Sequence, residues 1–186
     1  MTGRIFYVMG ASGVGKDSLL GYVRGRVRSS DRILFAHRYI TRPAGGNENH
    51  VALSEPEFTR RLQAGLFCFS WASHGFRYGI GIEIDFWTKA GFDVVINGSR
   101  EAYAAARMER PVEGVLITAS HDTLRDRLVA RGRESERDVE ARLARSATFA
   151  VPSDVRAISN DGPLEHAGNA LLEVLRASRS RLTGSR

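Results

Sequence analysis

Residues 10–16, with the sequence GASGVGK, constrain the fold more than any other segment because they match the pattern G-x-x-x-x-G-K. They follow an apolar run, RIFYVM, that predicts a buried strand over residues 4–9, and they precede a helix predicted over 16–28. Glycines allow the backbone to curl so that N–H groups converge, and the helix N-terminus adds a positive field. This order of strand, glycine turn and helix predicts a phosphate-binding loop.

The loop predicts a binding site for the phosphates of ATP. Lys16 is expected to reach the β- and γ-phosphates and to act in catalysis. It is one of two lysines among 27 basic residues, so its presence in this motif supports a role in phosphate binding. The residues expected to bind the nucleotide are Gly10, Ala11, Ser12, Gly13, Val14, Gly15, Lys16, Asp17 and Ser18.

Position 17 departs from the pattern, in which a serine or threonine hydroxyl after the lysine holds magnesium. Here Asp17 comes first and Ser18 follows. A carboxylate can ligate Mg²⁺ directly or through water, and it can also complement the helix dipole in the first turn. The predicted core strands end in Asn97, Thr118 and Asn160, so none supplies an acid for the metal. Asp17 is therefore predicted to be a magnesium ligand, with the helix-dipole role left open.

Strands alternate with helices along the rest of the chain. Strands are predicted over 33–40, 66–71, 92–96, 115–118 and 155–158. Helices are predicted from Ser54 onward and over 84–89, 123–150 and 164–178, with a polar loop over 41–50 and a turn over 75–81. This alternation predicts an α/β fold with a mainly parallel sheet flanked by helices. All 186 residues are expected to form one domain.

Composition argues against several functional classes. The single cysteine, Cys68, permits no internal disulfide and favours a cytoplasmic location. Residues 1–7 contain no long apolar signal segment, and no stretch reaches membrane-spanning length, so no membrane role is expected. The net charge of +6 is compatible with nucleic acid or with small anionic substrates, and a solvated, mildly basic surface is the plainer interpretation. Because the arginines are dispersed rather than clustered with aromatics, nucleic acid is not expected as a partner.

A second signature lies beyond the phosphate loop: HRYITRP over 37–43, ENH over 48–50 and GFRYG over 75–79. Together with the loop, this layout resembles the guanylate kinase group of P-loop nucleoside monophosphate kinase-like enzymes. The resemblance implies an acceptor-binding insertion at about 37–90 and a lid at about 125–150. The matching lid residues are Arg127-Leu128, Arg131-Gly132, Arg142-Leu143 and Asn160-Asp161.

The sequence also departs from guanylate kinases. Their glutamate, about nine residues before the tyrosine of the YG pair, accepts hydrogen bonds from guanine, whereas Phe69 stands here and cannot accept them. The variants GKDSL, HRYITR, ENHVALS, YGIGIEID and VINGSR resemble the ribose 1,5-bisphosphate phosphokinases of bacterial phosphonate degradation. That resemblance implies transfer from ATP to ribose 1,5-bisphosphate, which yields ADP and 5-phosphoribosyl 1-diphosphate.

A phosphorylated sugar is thus the expected partner, bound by Arg38, Thr41, Arg42, His50, Tyr78, Asn97 and Arg100. Arginine forks suit bidentate phosphate contacts, although surface ion pairs are the alternative for Arg38 and Arg42. Arg131 and Arg142 are predicted to close on the transferred group. No catalytic base is assigned, because the acceptor phosphate is already ionised.

Several alternatives stay open at this point. A guanylate-type kinase and a non-catalytic guanylate kinase-like binding module are the other functions, and a homodimer is a candidate assembly. The aromatic residues Phe67, Phe69 and Trp71 are predicted to be core rather than a stacking platform, and His74 has no assigned role.

Overall fold

A parallel five-stranded sheet carries the phosphate loop. The computed structural model describes residues 2–43, 49–131, 139–141, 143–144 and 151–180. The sheet has the order β2-β7-β1-β8-β9, with every pair parallel. Its strands are β1 (Ile5–Gly10), β2 (Ile33–Phe35), β7 (Asp93–Asn97), β8 (Glu113–Thr118) and β9 (Arg156–Ser159). The predicted α/β class with a mainly parallel sheet is confirmed.

A second sheet of four strands forms between β2 and β7 and has the order β4-β3-β6-β5. Its strands are β3 (Arg38–Ile40), β4 (His50–Ala52), β5 (Phe67–Ser73) and β6 (Phe76–Gly81). The predicted strand over 33–40 is wrong, because it divides into β2 and β3, which belong to different sheets. The predicted turn over 75–81 is also wrong, since only the His74-Gly75 turn, with φ of 52° and 76°, separates β5 from β6.

Helices flank the sheets: α1 (Lys16–Arg24), α2 (Glu55–Gln63), α3 (Glu83–Lys89), α4 (Arg100–Glu109), α5 (His121–Arg131) and α6 (Leu164–Ser180). The helix after the phosphate loop is shorter than predicted and is capped by Gly25. Helix α4 is not predicted by the sequence patterns described above. Its signals were Ser99, whose hydroxyl accepts a hydrogen bond from the Glu101 N–H at 3.2 Å, and the alanine-rich segment that follows.

The central strand β1 buries both of its faces. Phe6 and Val8 pack in the cluster that includes Leu19 of α1 and Leu171 of α6, whereas Tyr7 and Met9 pack in a second cluster. Successive side chains of a strand point to opposite faces, so this run of apolar residues supplies two cores. The side chains of Phe6, Tyr7, Val8 and Met9 are all fully buried.

The topology brings two strand ends together. β1 and β7 are adjacent and parallel, with Val8 opposite Asn97, so the phosphate loop after β1 lies beside the residues that follow β7. Ligands of such sheets bind in the crevice outside the carboxyl ends of the strands. Among the residues that the structure describes, no helix is both long and apolar enough to cross a membrane.

Candidate active site

The phosphate loop adopts a curled backbone ahead of α1. Gly15, the N-cap residue of α1, has φ of 83°, a conformation that side chains with a Cβ rarely adopt. A Cβ at this position would also lie 2.8 Å from Nδ2 of Asn160. Lys16 folds back so that its Nζ donates to the Gly10 carbonyl at 3.3 Å. The loop therefore holds a phosphate-binding shape and keeps Lys16 at its mouth.

Two side chains from distant segments hold the outer turn of the loop. The Val14 carbonyl accepts hydrogen bonds from Asn160 Nδ2 at 2.6 Å and from Arg127 Nη1 at 3.1 Å. Arg127 Nη2 also donates to the Asn160 carbonyl at 2.8 Å. Asn160 is 2% exposed. Asn160, just after β9, and Arg127 of helix α5 thus position the phosphate loop. The family resemblance pointed to both residues but did not assign them this role.

Asp17 links the two halves of the site. Its Oδ1 accepts a hydrogen bond from Asn97 Nδ2 at 2.7 Å and from Arg38 Nη2 at 3.1 Å. The Arg38 side chain is 12% exposed, whereas that of Asp17 is 46% exposed. Asp17 Oδ2 makes no hydrogen bond within the described part of the chain. The Asp17 carboxylate is thus partly accessible from the cleft, and two side-chain donors bind one of its oxygens.

A cleft of about 540 Å³ joins the phosphate loop to the second sheet. The loop and α1 contribute one wall, the second sheet the opposite wall, and the start of α4 a third. The lining residues are Gly10, Ala11, Ser12, Gly13, Gly15, Lys16 and Asp17; Arg38, Arg42, Trp71, Ser73, His74, Phe76 and Tyr78; and Gly98, Ser99, Arg100 and Glu101. Cationic groups from three segments therefore face one space.

The second sheet presents an aromatic wall to this cleft. Trp71 and Tyr78 are paired across β5 and β6, and their rings stack with centroids 5.4 Å apart and planes within 4°. The Arg42 guanidinium lies 5.9 Å from the centroid of the Phe76 ring. Such surfaces suit the C–H faces of a ligand between its charged ends.

Phe69 lies in the core rather than in the cleft. It is 4% exposed, and its ring meets Tyr7 edge-on at 6.3 Å and 87°. Phe67 packs against Tyr39 and Phe58. The core prediction is therefore confirmed for Phe69. Trp71 is half-buried, packs against the same cluster and also lines the cleft, and Phe67 is half-buried against Tyr39 and Phe58.

Some predicted acceptor ligands lie outside the lining of this cleft. Thr41 accepts a hydrogen bond from the Arg77 N–H at 2.9 Å, and His50 is paired with Arg38 across β3 and β4. Asn97 lines a smaller cavity of about 30 Å³ that it shares with Asp17. On the donor side, Val14 and Ser18 are also outside the lining. Their predicted contacts with ligand remain predictions.

The predicted lid arginines fall at the limit of the described residues. Arg131 is the last residue of α5, and its side chain is not among those described. Arg142 lies outside the described residues. In α5, Arg125 forms an ion pair with Glu140 at 3.4 Å, which joins this helix to the helical residues 139–141.

Several lining residues are not among the predicted site residues, namely Trp71, Ser73, His74, Phe76, Gly98, Ser99 and Glu101. Trp71 and Ser73 are two residues apart on one strand and therefore share a face. The sequence signal was the His74-Gly75 pair between two aromatic segments, which is typical of a hairpin turn. Ser73 Oγ and His74 Nδ1 lie 2.8 Å apart in that turn.

The described residues contain no group of three or more histidine, cysteine, aspartate or glutamate side chains placed to hold a metal ion. Asp17 is the carboxylate nearest the loop lysine in sequence, and carboxylate and phosphate oxygens are the ligands that Mg²⁺ prefers. A single carboxylate, that of Asp17, therefore fits a magnesium ion that takes its other ligands from the phosphates of a nucleotide and from water.

The chain is similar in sequence to several proteins that share one name. No protein-family model matches the chain. It is 52% identical over 175 residues to a ribose 1,5-bisphosphate phosphokinase PhnN of Burkholderia pseudomallei, covering 92% of this chain and 95% of that protein. A protein of the same name from Desulfomicrobium baculatum is 53% identical over 176 residues, covering 92% of this chain and 94% of the relative. One from Laribacter hongkongensis is 54% identical over 94% of this chain, which spans only 43% of that relative's length.

A solved structure confirms the fold class. The guanylate kinase of Anaplasma phagocytophilum superimposes with a TM-score of 0.68, covering 95% of this chain and 86% of that one. Only 19% of the residues are identical, so the likeness concerns the fold alone.

Proposed function

Since the chain belongs to the ribose 1,5-bisphosphate phosphokinase family, we propose that it transfers the terminal phosphoryl group of ATP to ribose 1,5-bisphosphate. The products are ADP and 5-phosphoribosyl 1-diphosphate, formed during phosphonate catabolism. One observation supports the proposal most directly: Lys16 of the phosphate loop and three arginines, Arg38, Arg42 and Arg100, line the same cleft. A donor and an acceptor that both carry phosphates fit that arrangement of charge.

The reaction needs positioning and neutralisation more than proton transfer. An oxygen of the C1 phosphate forms a bond to the γ-phosphorus of ATP, and the bond between that phosphorus and the β,γ-bridging oxygen breaks, so that ADP leaves with the electron pair. The attacking oxygen is already ionised near neutral pH, so the site requires no general base. Holding the two anions in line, against their mutual repulsion, is the task of the cationic side chains.

We assign the donor phosphates to the loop backbone and Lys16. The curled backbone after β1 presents N–H groups, and α1 adds its positive N-terminal field. The Lys16–Gly10 hydrogen bond is 3.3 Å long, and a phosphate oxygen is a stronger acceptor for an ammonium group than a carbonyl. We therefore expect Lys16 to exchange the Gly10 carbonyl for the β- and γ-phosphates.

We assign the acceptor phosphates to the arginines of the second sheet and of α4. Arg38 begins β3, Arg42 follows it, and Arg100 begins α4, so the three approach the cleft from two directions. Two phosphates at opposite ends of a pentose require such separated donors. Tyr78 adds a hydroxyl on the aromatic wall, and Arg131 and Arg142 remain the proposed lid residues.

Asp17 would hold magnesium beside the donor phosphates. Its 46% exposed side chain fits this role, since Oδ1 bonds to Arg38 and Asn97 while Oδ2 makes no hydrogen bond within the described residues. When bound, the ion neutralises phosphate oxygens and fixes their orientation. The protein's own contribution is to orient the carboxylate, because the Asn97 amide holds it at 2.7 Å.

The alternative of a guanylate kinase finds little support in the cleft. Only Asp17 and Glu101 carry carboxylates among its described lining residues. Asp17 is engaged by Arg38 and Asn97, and Glu101 lies at the start of α4 rather than on the second sheet. A guanine would leave N–H donors unpaired against Trp71 and Tyr78, which costs about 1–3 kcal/mol for each buried group.

The decisive experiment is an ADP-release assay with ribose 1,5-bisphosphate, ribose 5-phosphate and GMP as competing candidates. We expect rapid turnover of the bisphosphate, and phosphorus NMR should show a new diphosphate at C1. Lys16→Ala, prepared in parallel, controls for a contaminating kinase. Comparable turnover of GMP by the wild type but not by Lys16→Ala would overturn the proposal.

We expect the enzyme to act in the cytoplasm, where ATP is available, and without nucleic acid or membrane partners. A homodimer stays a prediction, for which light scattering coupled to size exclusion is the direct measurement.

A further inference from the structure

A buried tyrosine supports the connection between β7 and α4. Tyr7 lies on the central strand β1 and is fully buried. Its hydroxyl donates to the Ser99 carbonyl at 3.0 Å and accepts from the Ser99 N–H at 3.1 Å. One side-chain atom thus satisfies both backbone polar groups of a residue that lines the cleft.

We infer that Tyr7 is a positioning residue for the acceptor site, acting through the β7–α4 loop, which we define as residues 98–99. Both loop residues and the first two residues of α4, Arg100 and Glu101, line the cleft. The inference rests on the proposed function, because it assigns Arg100 to an acceptor phosphate. Tyr7 itself is covered by the loop and is not a catalytic residue.

The loop backbone rests directly on the tyrosine ring. A Cβ built on Gly98 would lie 2.1 Å from Cε1 of Tyr7 and 2.6 Å from its hydroxyl oxygen. The Gly98 N–H donates to the Val8 carbonyl at 2.9 Å, which anchors the same backbone to β1. The position of residues 98 and 99 is therefore determined by the ring and hydroxyl of Tyr7 and by the backbone of β1.

The position of Ser99 determines where α4 begins. Its Oγ accepts a hydrogen bond from the Glu101 N–H at 3.2 Å and caps the helix, with Arg100 as the first helical residue. A shift of Ser99 therefore changes the direction from which Arg100 approaches the cleft. Misplacing a substrate-binding group by about 1 Å can cost on the order of a hundredfold in rate.

The tyrosine keeps its proton under working conditions. Burial is the main cause that raises the pKa of Tyr7 to about 12, and the hydrogen bond with Ser99 opposes it. Above neutral pH the hydroxyl therefore still both donates and accepts.

Tyr103 offers a matched control. It belongs to the same cluster, is 2% exposed, and its ring lies 5.3 Å from that of Tyr7. Its hydroxyl makes no hydrogen bond within the described part of the chain. Tyr7→Phe and Tyr103→Phe both remove one hydroxyl from this cluster, but only the first releases Ser99.

The test combines kinetics with amide hydrogen exchange of the two variants. For Tyr7→Phe we expect about a tenfold loss in kcat/KM for the acceptor, mostly in KM, with the KM for ATP within about twofold of wild type. Exchange of the peptide that contains Ser99 should accelerate in Tyr7→Phe and stay as in wild type in Tyr103→Phe. Both are compared at a temperature where circular dichroism shows them folded.

Two results would overturn the inference: unchanged exchange at Ser99 in Tyr7→Phe, or the same kinetic change in both variants. If ribose 1,5-bisphosphate were not a substrate at all, the exchange measurement would still test the support of the loop by Tyr7. Failure of the proposed function and failure of this inference are therefore distinguishable.

Discussion

Arg38 Nη2 donates to Asp17 Oδ1 at 3.1 Å, and this contact connects the helix after the phosphate loop to the first strand of the second sheet. Asp17 follows the loop lysine, and Arg38 is a proposed ligand of the acceptor. The carboxylate and the guanidinium are thus partners of each other. A phosphate bound by Arg38 would compete with the Asp17 carboxylate for the guanidinium, so we expect the acceptor site and Asp17 to influence each other.

Lys16→Ala should fold normally and lose phosphoryl transfer. Lys16 faces the cleft, so its removal leaves the core intact, but it deprives the donor phosphates of a cation. The expected loss is about 3 kcal/mol of transition-state stabilisation, or roughly a hundredfold in kcat. Lys89→Ala, which changes the only other lysine, at the end of α3, is the control and should turn over normally. Normal turnover by Lys16→Ala would contradict the assignment of the loop.

Asp17→Ala should raise the magnesium concentration needed for half-maximal activity. The reason is the loss of a carboxylate that Asn97 orients at 2.7 Å. Asp17→Ser should recover part of the effect, because serine supplies a hydroxyl to the ion. The measurement is a magnesium titration at saturating ATP and acceptor. Curves of both variants that superimpose on the wild type would leave Asp17 only a helix-dipole role.

Arg42→Ala should raise the KM for the acceptor more than the KM for ATP. Arg42 lies on the acceptor side of the cleft beside Phe76, away from the loop that holds the nucleotide. Loss of a bidentate phosphate contact is expected to raise the acceptor KM about tenfold or more. Arg60→Ala serves as control, since the Arg60 side chain on α2 is 79% exposed. An equal rise in both KM values would argue against an acceptor role.

Phe69→Glu should not create a guanylate kinase. Phe69 is 4% exposed and packs on Tyr7, so glutamate there would place a charge in the core instead of in the cleft. We expect a loss of several kcal/mol in the free energy of unfolding, measured by denaturant titration, and no activity with GMP. Trp71→Glu, at a position that lines the cleft, should be destabilised much less. Equal stability of the two variants would contradict the assignment of Phe69 to the core.

Gly98→Ala should lower both stability and activity. The added Cβ would meet the Tyr7 ring at 2.1 Å, so either the loop or the central strand must shift. Gly21→Ala provides the control, because a Cβ at this position in α1 meets nothing within 4 Å. That substitution should stabilise the helix by up to about 1 kcal/mol. Thermal unfolding compares the two variants. If Gly98→Ala were as stable as wild type, the contact between the backbone at residue 98 and the Tyr7 ring would not be tight.

Much of the fold and the donor half of the site follow from local sequence. The run IFYVM is buried on both faces wherever it lies in a parallel sheet, so its role as a core strand follows from composition. The glycines at 13 and 15 adopt φ of 94° and 83°, conformations that their own lack of a Cβ permits. The apolar run and the glycine conformations depend on residues that are close in sequence. For this reason the phosphate loop and the family resemblance could be predicted from the amino-acid sequence.

Which side chains meet across the cleft was decided by tertiary structure. A register shift between Phe67 and Phe69 changes the alternation of β5, so that Phe67 packs against Tyr39 and Phe58, whereas Phe69 and Trp71 share a face that packs with the second core cluster. A shift of one residue exchanges the two faces of a strand, and it depends on pairing with β6 rather than on the sequence of β5. Likewise, Asp17 meets Arg38 only because residues 33–40 divide between two sheets. The sequence encodes local backbone conformation strongly, whereas these contacts arise from pairings between segments far apart in the chain.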